Sequence, residues 1–507
     1  MLFNSFSFLF LYLPLVLAGY LLLARWRPGW IAAWLALASL FFYGYWDSRY
    51  LMLLLASIVA NYWCGLKIAG AGPARQSRRR NWLCCALVVN LLLLAYYKYA
   101  NFFVDNLGRA LGEPLPFREV VLPVGISFFT FTQIAFLVDC YRGLAGEYRL
   151  VHYTLFVSYF PHLIAGPVLH HREMMPQFAR QCLQRPQVAD MAIGLSIFVV
   201  GLGKKVLLAD PLSVLVAPVF APGAQPQLVE AWTGALAYTL QLYFDFSGYS
   251  DMAIGLSRLF GIRLPLNFHS PYQAANISEF WRRWHMTLSR FLRDYLYLPL
   301  GGNRHGVVRR YRNLMLTMLL GGLWHGAGWT FVAWGALHGV YLVIHHAWQG
   351  NTAPRWWARG LTFLAVLLAW VVFRAPDMAT AGDILHAMTG ANGISLPRAW
   401  APHFAPYAAQ LQLIGWQPLF NGIRWIDVSG IALPTLVVAW LLAWYAPNTQ
   451  QIFHRYGPAI EDFAESRQWR WCCHWTPSRR WGLALTLLFL CCVFSMNRVS
   501  EFLYFQF

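Results

Sequence analysis

A chain of 507 residues that is 58% hydrophobic and only 12% charged, where ordinary globular proteins carry about 25% charge, has the composition of a protein solvated by lipid. Its 25 Trp, 25 Tyr and 36 Phe suit the same setting. The formal net charge of +18 would fit a nucleic-acid binder, but the basic residues lie in short loops between apolar runs. That is a membrane-orientation pattern, and no nucleic-acid partner is expected.

In chain order, apolar runs long enough to cross a hydrocarbon core, roughly 20 residues of helix, are predicted at about 6–24, 30–46, 49–66, 82–98, 121–138, 152–168, 190–208, 230–246, 313–347 (a bent pair), 357–373, 430–446 and 481–496. The fold class is all-α, one polytopic domain over 1–507, with about eleven to thirteen transmembrane or re-entrant helices. No internal repeat of fixed period interrupts it. The first run carries Arg25 and Arg27 after its apolar stretch, unlike a secretory leader, so it is expected to be retained.

Those arginines, and Lys67, Arg75, Arg78, Arg79 and Arg80, place two loops in the cytoplasm and the N-terminus outside. The mixed-sign loop at 99–120 and the segment 375–429, which has no Lys, read as extracytoplasmic. Arg467, Arg470, Arg479 and Arg480 return the chain inside before the last run, so the aromatic tail 497–507 is expected outside. The nine Cys include no CxxC pair and no His at ligand spacing, so no metal is expected.

Two segments break the apolar monotony. In 261–312, Trp281, Trp284, His285, Leu288, Leu292 and Tyr295 recur at helical spacing while Arg282, Arg283, Arg290 and Arg293 spread over the other face, as in an interfacial or re-entrant helix. The arginines suit either lipid headgroups or an anionic cytosolic ligand. In 318–339, MLLGGLWHGAGWTFVAWGALHG, the helix from Arg312 to His325 would be only roughly 18 Å long. His325 is therefore predicted inside the membrane profile at a break among Gly321, Gly322, Gly326 and Gly328, tolerated only within protein or beside water. An ionisable group at that depth is a functional candidate, and a His can take a proton from a hydroxyl; a neutral core His bonded to a carbonyl is the bland alternative. His338 reads as packing. Asp245, Asp251, His162, His170 and His171 read as kinks, caps or satisfied pairs. No serine nucleophile elbow, phosphate loop or zinc signature occurs.

WRRWHMTLSRFLRDYLYLPLGGNR followed by LLGGLWHGAGWTFVAWGALHG resembles the membrane-bound O-acyltransferase family, in its bacterial polysaccharide O-acetyltransferase branch. LPVGISFFTFTQIAFLVDCYRG, YFPHLIAGPVL and QLYFDFSGYSDMAIGL resemble it in the same order. The resemblance implies helices ringed about a central funnel, with 261–340 lining the interior. His325 occupies the place of the family's invariant His and His285 that of its second signature position. As catalytic residues, His325 would be the general base and His285 would orient or polarise a thioester. The resemblance also implies acetyl-CoA as donor substrate, with no bound cofactor, and Arg282, Arg283 and Trp324 as its binding residues.

NRVSEFLYFQF packs aromatics as an interfacial anchor would. It also resembles the aromatic C-terminal motif of a small partner protein in teichoic acid D-alanylation, which would make Tyr504 an acyl acceptor and shuttle. The branch implies an inner-membrane location among membrane lipid, a separate extracytoplasmic esterase-like acetyltransferase as partner, and a polysaccharide such as alginate or cellulose, or peptidoglycan, as final acceptor. A small-solute transporter or channel would also explain buried His and Asp, but would call for internal repeats or paired broken helices.

Overall fold

The computed structural model describes residues 1–70, 75–145, 149–164, 166–179, 186–348, 355–396, 400–413, 430–461 and 474–496, with positions 420, 426, 463 and 503. Among them the regular elements are helices, without a strand. Lipid allows little else, because a spanning segment must pair its own N–H and C=O groups. Among the described residues five helices are long and apolar enough to cross a membrane: Phe8–Trp26, Ser48–Gly70, Gln76–Leu111, Val188–Val216 and Trp356–Arg374. The shorter Pro28–Gly44 and Ala432–Tyr445 helices, together with Ile126–Arg142, Leu228–Leu259 and Arg479–Ser495, meet further predicted runs.

Several boundaries differ from the sequence reading for physical reasons. The loop expected at 99–120 is helical as far as Leu111, because a π-helical turn at Ala95–Tyr99 carries the chain past Lys98. The run at 152–168 breaks into Leu150–Ser158 and Phe160–Leu163. Pro161 sits in the first turn of the second piece, where a missing N–H removes no helical bond. The run at 230–246 extends into a 32-residue helix ending at Leu259, because its acidic residues have partners. Lys205 lies 2.6 Å from Asp245 and 2.8 Å from Asp210, and Lys204 lies 2.6 Å from Asp251. Both lysines belong to another π-helical turn, Lys204–Ala209.

The helix expected through 281–295 is instead two short ones, Ile277–Arg283 and Met286–Leu292, followed by a π-helical turn at Arg293–Tyr297. The interruption is His285, which adopts a left-handed φ of 40°.

Close backbone approach shapes the hairpin formed by Val307–His325 and Trp329–Ala347. A Cβ on Gly322 would stand 2.3 Å from the carbonyl oxygen of Phe331, and one on Gly335 would stand 2.5 Å from that of Met318. Small residues permit such packing where lipid gives no hydrophobic drive between helices. Gly322→Ala should therefore lower the thermal unfolding midpoint of the detergent-purified protein, by a shift corresponding to about 1–3 kcal/mol of overpacking. Gly360→Ala, where nothing lies within 4 Å of the added carbon, should leave the midpoint unchanged or raise it.

Candidate active site

The Val307–His325 helix stops at His325, and Gly326 turns to extended backbone with φ −161° and ψ 155° before the next helix starts at Trp329. The break falls at Gly326 and Gly328, whereas Gly321 and Gly322, also expected to form it, lie inside the helix. The helix leading to it is longer than expected, about 28 Å, because it begins at Val307. Ending a helix leaves its last carbonyls without partners, and a neighbouring helix supplies them. Tyr99 Oη donates to the Leu323 carbonyl at 2.7 Å. Lys98 Nζ donates to the carbonyls of both Trp324 and His325, the latter at 3.0 Å.

His285 is held from the other side. Thr287 Oγ1 donates to Asn267 Oδ1 at 2.6 Å, and Asn267 Nδ2 donates to Ser250 Oγ at 3.3 Å, which marks Oδ1 as the acceptor of that amide. His285 Nδ1, 3.3 Å from the same Oδ1, must then donate, so a neutral His285 carries its lone pair at Nε2. The left-handed backbone at His285 and the bond from Met286 N–H to the Asn267 carbonyl, 3.0 Å, fix where the ring enters. The imidazoles of His285 and His325 lie 6.5 Å apart between centroids.

Aromatic rings enclose the pair. Around His325 stand Trp324 at 5.0 Å, Trp334 at 5.1 Å and Phe373 at 5.3 Å. Phe246 meets His285 edge-on at 4.8 Å. His338, expected as packing, is fully buried against Trp334 at 4.7 Å and Trp281 at 5.2 Å. It thus lies one ring away from His325.

One cavity lies beside the residues that follow His285 and another reaches His325. The first, of about 400 Å³, is lined by Trp281, Arg282, Met286, Thr287, Arg290 and Arg293 among others, so it reaches the residues directly after His285. Glu461 is on its wall, accepting from Leu266 N–H at 2.8 Å and standing 3.5 Å from Arg290. Burial raises the Glu461 carboxyl above its ordinary range, against the pull of that N–H and of Arg290. The other cavity, of about 100 Å³, is bounded by Lys98, Ser127, Trp324 and His325 with the 122–128 segment.

The remaining sequence candidates fall in different places. Arg282 lines the larger cavity. Arg283 faces Glu279 at 2.8 Å and the His269 carbonyl at 3.3 Å. Trp324 lines the smaller cavity and stacks on Phe131 at 5.3 Å. Tyr504 lies outside the described residues, but Leu503 beside it in sequence is buried, and its N–H donates to Asp245 Oδ2 at 3.1 Å. Among the described residues no group of three or more His, Cys, Asp or Glu is placed to hold a metal ion. Sequence reasoning missed Lys98, Asn267 and Thr287. Lys98 carried a signal, a charge amid AYYKYANFF where lipid would be expected; the other two carried none.

Residues 87–376 match the model of the membrane-bound O-acyltransferase family. The chain is 45% identical over 429 residues to the peptidoglycan O-acetyltransferase of Helicobacter pylori, covering 78% of this chain and 81% of that protein. It is 48% identical to a probable alginate O-acetylase of Azotobacter vinelandii, covering 76% and 78%, and 40% identical to that of Pseudomonas putida over the whole of both chains. With its apolar spanning helices and paired interior histidines, the chain belongs to the membrane-bound O-acyltransferase family and is a multi-pass membrane O-acyltransferase.

Proposed function

We propose that the protein takes an acetyl group from cytosolic acetyl-CoA and passes it across the inner membrane for O-acetylation of an extracytoplasmic polymer. The observation that carries this reading is the pair of buried histidines 6.5 Å apart, His325 on the wall of the smaller cavity and His285 directly before Met286 and Thr287, which line the larger one. The basic rim of the larger cavity suits a phosphorylated donor, with Arg282 meeting phosphate. Arg283, engaged with Glu279, fits a structural part better. Trp324, beside both imidazoles at 5.0 and 6.1 Å, suits a wall for the acyl end.

In the transfer, His325 removes the proton of an acceptor hydroxyl as its oxygen attacks the thioester carbonyl carbon. The new C–O bond forms, the tetrahedral intermediate collapses, the C–S bond breaks, and the thiolate leaves with the proton as CoA thiol. His285, with Nδ1–H committed to Asn267, offers Nε2 as an acceptor. The one proton of the acceptor hydroxyl goes to His325, and polarising a carbonyl would need a donor, so a neutral His285 helps shape the site and does neither.

The similarity to proteins named for peptidoglycan and alginate supports a cell-surface polysaccharide or peptidoglycan as final acceptor; a separate extracytoplasmic esterase-like acetyltransferase would complete the transfer to it. The loop charges support extracytoplasmic N- and C-termini. The burial of Leu503 and its bond to Asp245, in the middle of the Leu228–Leu259 helix, favour Tyr504 as an acyl shuttle over a lipid-facing anchor. A phenol, with a pKa near 10, leaves more readily than a sugar hydroxyl, so an acetyl ester on Tyr504 would keep its transfer potential.

His325→Ala should lower acetyl transfer by roughly a hundredfold or more while the protein still inserts; wild-type transfer would refute the assignment. Asn267→Ala, which frees the His285 ring, should lower kcat by roughly tenfold, measured as CoA thiol released per unit of inserted protein. For the tail, radiolabelled acetyl-CoA is the probe: Tyr504→Phe should abolish covalent label and transfer to polymer, and labelling equal to wild type would remove Tyr504 from the path.

A further inference from the structure

A lysine in the interior of an apolar helix is costly unless something uses it, and the chemistry above leaves Lys98 without a part. Counting from Gln76, Lys98 stands about 33 Å along the Gln76–Leu111 helix, where its ammonium donates to the carbonyls of Trp324 and His325 and lies 3.4 Å from Ser127 Oγ. Its neighbour Tyr99 takes the Leu323 carbonyl. Together the two residues satisfy the last three carbonyls of the helix that ends at His325. They do so from a π-helical turn, Ala95–Tyr99, a local widening often found at functional sites. A cation at a helix C-terminus also meets the negative end of the helix dipole. Lys98 shares the smaller cavity with His325 but is absent from the lining of the larger, basic-rimmed one.

We infer that Lys98 is a positioning residue for acyl transfer: by clamping the Trp324 and His325 carbonyls at the intramembrane helix end, it fixes the backbone from which the His325 imidazole projects into the smaller cavity. The inference rests on His325 being the general base. It assigns Lys98 to the transfer step and not to donor binding, since the two features occupy different cavities. Proton removal by a positioned base is sensitive to misplacements of about 1 Å, so the clamp acts on turnover.

The test is steady-state kinetics on full-length protein in lipid nanodiscs, with acetyl-CoA as donor. Lys98→Met keeps the apolar stem and removes the cation; kcat should fall roughly tenfold or more, with KM for acetyl-CoA unchanged. Lys98→Arg, which restores a cationic donor, should recover most of the lost kcat. Wild-type kcat in Lys98→Met, or a KM that rises in step with the loss of kcat, would overturn the role. Should Lys98→Met fail to insert, Lys98→Gln, with N–H donors but no charge, carries the test: reduced kcat at unchanged KM supports the clamp, and wild-type kcat overturns it. Full activity in His325→Ala would remove the reading beneath the inference, whereas full activity in Lys98→Met beside an inactive His325→Ala removes the inference alone.

Discussion

A helix that stops inside the protein leaves its final carbonyls where water cannot reach them, and each must find a donor or the break is too costly to keep. The end at His325 meets this requirement through Lys98 and Tyr99, consecutive residues that both bond to it. Much of the surrounding architecture follows from that need. The Gln76–Leu111 helix must pass close to the break, its π-helical turn must fall at that level, and the hairpin after the break must pack tightly enough that Gly322 and Gly335 tolerate no side chain.

His285 stands at a second interruption, built differently. Its left-handed backbone is unusual for a non-glycine residue, and such conformations persist only where the surroundings over-determine them. Here Asn267 does so twice, through its carbonyl oxygen to Met286 N–H and through its side chain to His285 and Thr287. Two interrupted helices thus bring two imidazoles together inside a ring of aromatic side chains. The aromatic packing keeps bulk water from the pair, which suits transfer of an acyl group that water would otherwise hydrolyse.

The acid–base pairs on the Leu228–Leu259 helix belong to the same economy of buried charge. Lys204 and Lys205, adjacent in sequence, reach Asp251 and Asp245 respectively, so charges that would interrupt a lipid-facing helix become interior ties. Asp245 also accepts the Leu503 N–H, and the next residue of the same helix, Phe246, touches His285. Leu503 and His285 are thereby linked through consecutive residues of one helix.

Composition and apolar run length were enough to establish a polytopic all-α membrane protein, because lipid admits few alternatives, and Gly326 and Gly328 marked the helix end at His325, while Gly322 in the same run serves the packing of the hairpin. The periodicity around RRWHMTLS was misleading. Trp281, Trp284, Leu288 and Leu292 keep helical spacing across a point where the helix is broken, since a single left-handed residue changes direction without changing the residue pattern. Asp245 and Asp251 looked like interruptions because their partners lie on another helix. Lys98 looked like the edge of a span because its acceptors lie more than two hundred residues further along the chain. Local sequence therefore determined which segments enter the membrane and where one helix must stop; only the tertiary structure decided which distant donors cap that end and which amide orients the second imidazole, because the free energy of a buried polar group depends on partners that local sequence does not contain.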